Sequence, residues 1–466
     1  MHISMKTTPL LPLPDYQAIA FWSLTLSVCL LPIGLGGDRP IPVGLFQFGL
    51  ALCACCLALS PQTEERLAFF APLRAATTLI TIALFWGVIQ ILPIVPASWT
   101  HPMWQEAGQA LHRHLPASIS ITPVESLQGV MRMATIILTG LLSYIVMQKP
   151  ERAIEFVRTF WRSGLVICAY GTAVHVLGLH KILWFDKWTF QSDLTATFVN
   201  HNDFALYADL VIMAGLALLL RSWRRNFRDV KPHRKMEAVQ SWMAKRGIPY
   251  GMGIALIFGC VAASHSRAGL VLAFVGMGLY LFLYAIYRKE AGHAAAVATV
   301  GGVGLAAGLF FVMQSSQHFA VLFQDYSSRD RWTVYQLTLQ AIMENPWLGY
   351  GLHGFQAVFR THQQFMIMDF DRAHNDILEI ILDLGIPAAL CLITGVGLLL
   401  LRLLHGLLTR RRNGLFPVLA LSSSLVILSH ACVNFSLQIP GISMLWAGLL
   451  GCGLAQSWSE HQKDRG

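Results

Sequence analysis

The chain has 466 residues, 55% of them hydrophobic and only 13% charged, with a formal net charge of +9. A soluble protein carries about 25% charged residues, so this chain has too little charge to cover a water-exposed surface. The composition excludes a soluble multidomain enzyme, a disulfide-stapled secreted module and a disordered protein, and predicts an integral membrane protein.

A helix needs about 20 mostly apolar residues to cross the hydrocarbon core. In chain order the sequence offers twelve such segments, near 17–36, 43–60, 72–95, 125–147, 156–178, 202–220, 248–264, 268–287, 294–313, 377–401, 415–435 and 440–457. The first follows Pro-rich sequence with little positive charge and no small-residue cleavage site, so it is read as a retained span. The expected fold is all-α, a polytopic bundle of about twelve transmembrane helices forming a single membrane domain over 1–466. All nine cysteines lie in apolar runs without metal or redox spacing and are read as small hydrophobes.

Loop charge sets orientation. The 221–247 loop carries nine Lys or Arg against two acids; Arg288 with Lys289, and Arg402 with Arg410, Arg411 and Arg412, mark two more basic loops. The intervening loops are poor in positive charge: 96–124 holds only Arg113, and 179–201 only Lys181 and Lys187. Alternation then places the three basic loops and both termini in the cytoplasm. The positive charge is topogenic, and nucleic acid is not an expected partner. Trp223, Phe227 and Trp242 interleave with the basic residues of 221–247, which suits a short surface helix or a mobile linker.

Polar residues gathered at one side of a membrane protein are the place to look for chemistry. Four clusters fall on the external side. The long loop 314–376, between spans nine and ten, contains Arg329 and Arg331, then Tyr335, Leu339 and Ile342 in a pattern that suits an amphipathic helix ended by Pro346. Gly349, Gly351 and Gly354 follow, and allow a tight backbone path near a ligand or a phosphate. Next come His374-Asn375-Asp376, Glu379 and Asp383, the three acids sharing one helix face. The third cluster is Ser264-His-Ser266-Arg267-Ala-Gly269, and the fourth Asn200-His-Asn202. Asp209, two turns further in, needs a partner. Arginines, a histidine and amides around one cavity suit an anionic substrate, with guanidinium forks for phosphate and an imidazole for a hydroxyl proton. His112, His114 and His353 read as surface or structural residues.

On these residues the chain resembles the O-antigen ligase family, which includes lipid-linked glycan polymerases. The resemblance covers about 195–400 and rests on Ser266-Arg267-Ala-Gly269, Arg331-x-x-x-Tyr335 with Pro346 eleven residues on, Gly349-x-Gly351-x-x-Gly354-Phe355, and His374-Asn375 with Glu379 and Asp383-x-Gly385. The family usually has Trp where this chain has Tyr335. The resemblance implies a GT-C-like glycosyltransferase of the bacterial inner membrane, with its active site facing the periplasm. Its donor would be a glycan on undecaprenyl diphosphate, and its acceptor hydroxyl would lie on lipid A-core, as in lipopolysaccharide biosynthesis. Arg267 and Arg331 would hold the diphosphate, and His374 would be the base, with Asn375 or Glu379 fixing its tautomer. Arg329, Asn202, Asn375, Glu379, Tyr335 and Gly351 would line the substrate site. Direct attack would invert the anomeric centre. No cofactor and no metal are implied, because arginines stand in for the cation; the six acids of 314–376 keep a metal-binding outer loop as an alternative. Two other readings stand beside the ligase: a polymerase of lipid-linked O-antigen or exopolysaccharide repeats, and a lipid-linked oligosaccharide flippase. A transporter places its polar sites near the midplane with repeat symmetry, which this sequence lacks.

Overall fold

The computed structural model describes residues 15–60, 68–228, 230–289, 326–363, 370–410 and 412–458. The ninth expected span, 294–313, lies outside them. The helices are α1 (Tyr16–Leu30), α2 (Pro40–Ala58), α3 (Arg74–Ile91), α4 (Met103–Leu111), α5 (Pro123–Val146), α6 (Pro150–Val176), α7 (His201–Phe227), α8 (Lys235–Trp242), α9 (Ile248–Ala263), α10 (Arg267–Arg288), α11 (Tyr326–Glu344), α12 (Phe355–His362), α13 (Asp376–Leu384), α14 (Ile386–Thr409), α15 (Leu415–Ala431) and α16 (Pro440–Ala455). One two-residue hairpin, Lys181–Ile182 against Phe185–Asp186, follows α6.

Among the described residues, eight helices are long and apolar enough to cross a membrane. Three further expected spans fall short of that standard for different reasons. The helix α6 is long, but Glu151, Glu155, Arg158 and Arg162 crowd its first half. The helices α15 and α16 are strongly apolar, yet only 17 and 16 residues long. Outward-facing residues of the bundle, such as Phe48, Phe85 and Leu401, are exposed apolar side chains of the kind a lipid-facing surface presents. The centre is α7, with 83% of its apolar window buried in protein. Small residues let helices close on one another: a Cβ on Gly451 would lie 2.4 Å from the Gly140 carbonyl oxygen, and one on Gly164 would lie 2.4 Å from Val211.

The expected span at 377–401 is two helices. Gly385, at φ +75°, breaks it between α13 and α14. The segment 346–354 packs into the break: Tyr350 N donates to Leu382 O, Gly351 N to Asp383 O, and Ile386 N to Pro346 O. From α3, Gln90 Nε2 donates to Leu348 O at 2.7 Å and to Asp383 O at 2.8 Å, and Trp86 Nε1 donates to Leu384 O at 2.9 Å. Above the break, α11, α12 and α13 share a small core of Val334, Ala341, Ile342, Phe355, Phe359 and Leu382. The helical pattern expected around Tyr335 is present, but its apolar face is rotated: Leu339 is 49% exposed, while Val334 and Thr338 are buried.

Two substitutions test this clamp. Gly351→Ala would force a side chain into φ +93° with its Cβ 2.5 Å from the Ser120 and Ser126 hydroxyls. Gln90→Leu would strip the Leu348 and Asp383 carbonyls of one donor each, leaving Trp86 and Gly351 as their remaining partners, at about 0.5–1.5 kcal/mol for each bond lost. Both variants should unfold at lower temperature than the parent in thermal melts of detergent-purified protein, and a parent-like melt for both would remove the clamp from the account.

Candidate active site

Every cluster singled out in the sequence opens at the helix ends opposite the basic ones. Asn202 lies in the first turn of α7, whose far end carries Arg221, Arg224 and Arg225. Arg267 is the first residue of α10, which ends at Arg288. Asp376 opens α13, and the α13–α14 pair runs on towards Arg410.

The Arg267 turn is tied down by hydrogen bonds. Ser266 caps α10 by accepting from Gly269 N, and its hydroxyl donates to Asn202 Oδ1 at 2.6 Å. Asp193 joins the same region from the loop before α7, its two carboxylate oxygens each 2.9 Å from a histidine, His201 and His265. The Arg267 side chain itself is exposed, and Arg331 is half-buried. Among the described residues neither has an ion-pair partner.

Arg331 and Tyr335 stand four residues apart on one face of α11, and that face meets His374. The Tyr335 hydroxyl donates to the His374 carbonyl at 3.0 Å. His374 itself adopts φ +51°, and its ring packs edge-on against Phe435 at 5.0 Å and Phe370 at 6.1 Å. Burial pushes its pKa down to about 4, and the Arg331 guanidinium adds to the shift, against smaller opposing pulls from Asp371 and Asn434. The imidazole is therefore neutral at physiological pH, with its Nδ1 buried and without a hydrogen-bond partner among the described residues.

Asn375 and Glu379 do not bond that ring. The Asn375 side chain caps α13, accepting from Ile377 N and Leu378 N at 3.1 Å. Glu379 accepts from Ala373 N at 3.0 Å and lies 3.6 Å from Arg372, so it fixes the backbone just before His374. Asp376, Glu379 and Asp383 do share one face of α13, and all three are buried. Asp383 Oδ2 accepts from His353 N at 2.8 Å. Burial, with Arg132 and Arg372 nearby, pushes the His353 pKa down to about 3. Gly351 packs against Ser120 and Ser126. Arg329 lies in α11 with its side chain outside the described residues. Asp209 is buried in α7, both carboxyl oxygens unpartnered among the described residues.

Sequence reasoning missed the turn between α15 and α16. Asn434 Nδ2 and Ser436 Oγ both donate to Asp203 Oδ1, at 2.9 and 2.6 Å, and His430 Nδ1 lies 2.9 Å from Ser436 Oγ. Leu437 N donates to Asp376 Oδ2. The turn thus links the mouth of α7 to α13 beside His374. Its signal was there to read: Asn434, Ser436 and Gln438 interrupt two otherwise apolar helices. Arg132 was missed as well; its guanidinium donates to Gln438 O and lies 3.9 Å from Asp38. The sequence also holds an Asp-x-Asp spacing at Asp369-Phe370-Asp371, the pattern metal-dependent glycosyltransferases use, and Asp369 lies outside the described residues.

Residues 252–393 match the family model described as O-antigen ligase. The chain carries an O-antigen ligase family domain. The match spans under a third of the chain and contains Arg267, Arg331, Tyr335, Gly351, His374, Asn375, Glu379 and Asp383; Asn202, Arg132 and Asn434 lie outside it. No curated protein matches the chain. At the level of the family, the match supports a membrane glycosyltransferase of the ligase and polymerase class.

The His374 environment makes a pH prediction. A base works only when neutral, and kcat/KM reports the pKa of the free enzyme. The acid limb of kcat/KM should lie near the lowered value of about 4, with activity flat through neutrality. A limb near the ordinary imidazole value of about 6.5 would show that the buried, arginine-facing environment does not govern catalysis.

Proposed function

We propose that the protein moves a glycan from undecaprenyl diphosphate to an acceptor hydroxyl on lipid A-core, at the periplasmic face of the bacterial inner membrane. The observation that carries this reading is the pairing of Arg331 with a neutral His374 across the Tyr335–His374 hydrogen bond. One group is suited to an anion and the other to a hydroxyl proton, and a single helix–loop contact holds them together.

The acceptor oxygen attacks the anomeric carbon from the face opposite the diphosphate, and His374 takes the hydroxyl proton. The bond between that carbon and the diphosphate oxygen breaks, and its electron pair leaves with the diphosphate. Arg331 and Arg267 neutralise the growing charge, in the way preorganised cations stabilise a leaving group. Inversion follows from the single displacement. The reading needs no metal, because guanidinium groups remain charged at any relevant pH.

The test is a transfer assay with purified protein, an undecaprenyl-diphosphate-linked glycan and, in separate reactions, lipid A-core or a second lipid-linked glycan. His374→Ala should lower transfer by about 10²–10⁴-fold, the usual contribution of a positioned base. Arg267→Ala and Arg331→Ala should each lower it by about 10²-fold or more, with membrane insertion unchanged. Arg331→Lys should also fail if a bidentate fork is required. EDTA should leave transfer intact; loss of activity restored by a divalent cation would put Asp369 and Asp371 into a metal-dependent mechanism instead. Lengthening on undecaprenyl diphosphate without product on lipid A-core would make the protein a polymerase.

A further inference from the structure

A cavity of about 530 Å³ lies between α3, α5, α13, α14 and α16, within the range of about 300–1,000 Å³ usual for ligand sites. Both Gly129 and Tyr144 line it, so it follows α5 for about 22 Å at 1.5 Å per residue, most of the way across a bilayer. Along that length its walls are apolar, with Ile136, Ile393 and Leu450 among them. At the end nearer the active site its character changes abruptly: Arg132, His353, Asp376, Glu379, Asp383 and Gln438 line it. A long apolar channel with one polar end has the shape of an amphiphile.

The polar end states which headgroup it suits. Arg132 is occupied by the Gln438 carbonyl and by Asp38. The carboxylates are less satisfied. Asp383 Oδ1 and Glu379 Oε1 are buried without a hydrogen-bond partner among the described residues, although Arg372 lies 3.6 Å from the latter. Buried acceptors left open call for donors. A phosphate brings only acceptors and would meet three carboxylates, while an ammonium would meet Arg132 and Arg372. Neutral hydroxyls satisfy the acids and offend neither sign.

We infer that this channel seats the apolar chain of a glycolipid, whose sugar hydroxyls bond Glu379 and Asp383. The channel is distinct from the diphosphate-binding arginines, and His374, two residues before the channel-lining Asp376, adjoins both.

The probe is a diazirine-tailed glucosyl diacylglycerol, photolysed with full-length protein in phosphatidylcholine nanodiscs. Label should appear on peptides of α5 and α14. Unlabelled glucosyl diacylglycerol should compete at least 10-fold better than undecaprenyl diphosphate or phosphatidylethanolamine. Gly397 lines the channel and has open space beside it, so Gly397→Phe should cut labelling at least 5-fold while Gly397→Ala retains it. Equal competition by either of the other lipids, or labelling indifferent to Gly397→Phe, overturns the inference. If selective labelling holds while His374→Ala and Arg331→Ala retain transfer, the proposed mechanism falls and the glycolipid site stands.

Discussion

The backbone break at Gly385 is the constraint from which the active-site end of the molecule follows. A helix interrupted at membrane depth releases carbonyls, and away from water each must find a donor. Gln90 and Trp86 on α3 supply side-chain donors to Asp383, Leu384 and Leu348, and the Gly349–Gly351 turn supplies backbone ones. Because these bonds come from two separate parts of the chain, they fix α13 in position and direction. Asn375, Asp376, Glu379 and Asp383 are all carried on or at the start of that short helix, and His374 immediately precedes it.

The second organising feature is how few ionic groups near the site are fully neutralised by partners. Glu379 faces Arg372 and Asp38 faces Arg132, but Arg267 and Arg331 have no ion-pair partner among the described residues. Burying charge costs several kcal/mol per ion unless it is paired, so arginines kept half-buried or exposed without an ion-pair partner among the described residues leave room for an anion from outside. Three buried acids stand on α13, just beyond His374, with Arg132 and Arg372 beside them.

Much of this was legible in the sequence, and the exceptions have physical causes. Hydropathy placed eleven of the twelve expected spans on described helices, with some ends off by six to eight residues, and the ninth lies outside the described residues. Polar clusters at Asn202, Arg267 and His374 could be assigned to one end because loop charge fixes alternation. Hydropathy is blind, however, to a break inside an apolar run, so the α13–α14 division at Gly385 went unread. Spacing marked Gly349 and Gly351 as special without saying for whom; their missing side chains make way for Asp383 backbone and for Ser120 and Ser126, contacts more than 30 and 200 residues distant in sequence. The Asn434–Ser436 turn was overlooked because it sits between two apolar helices, and its partners, Asp203 and Asp376, come from other parts of the chain.

The burial of α7 bears on how the molecule is made. This helix packs against α6, already synthesised when it emerges, and against α9, α10 and α15, which come later. Until α15 arrives, the face of α7 that it covers has no complete protein surround. The two last helices, short for a bilayer but buried almost throughout their length, are held by protein more than by lipid. The turn between them brings Phe435 against the His374 ring, so the surroundings of that histidine are incomplete until both have inserted.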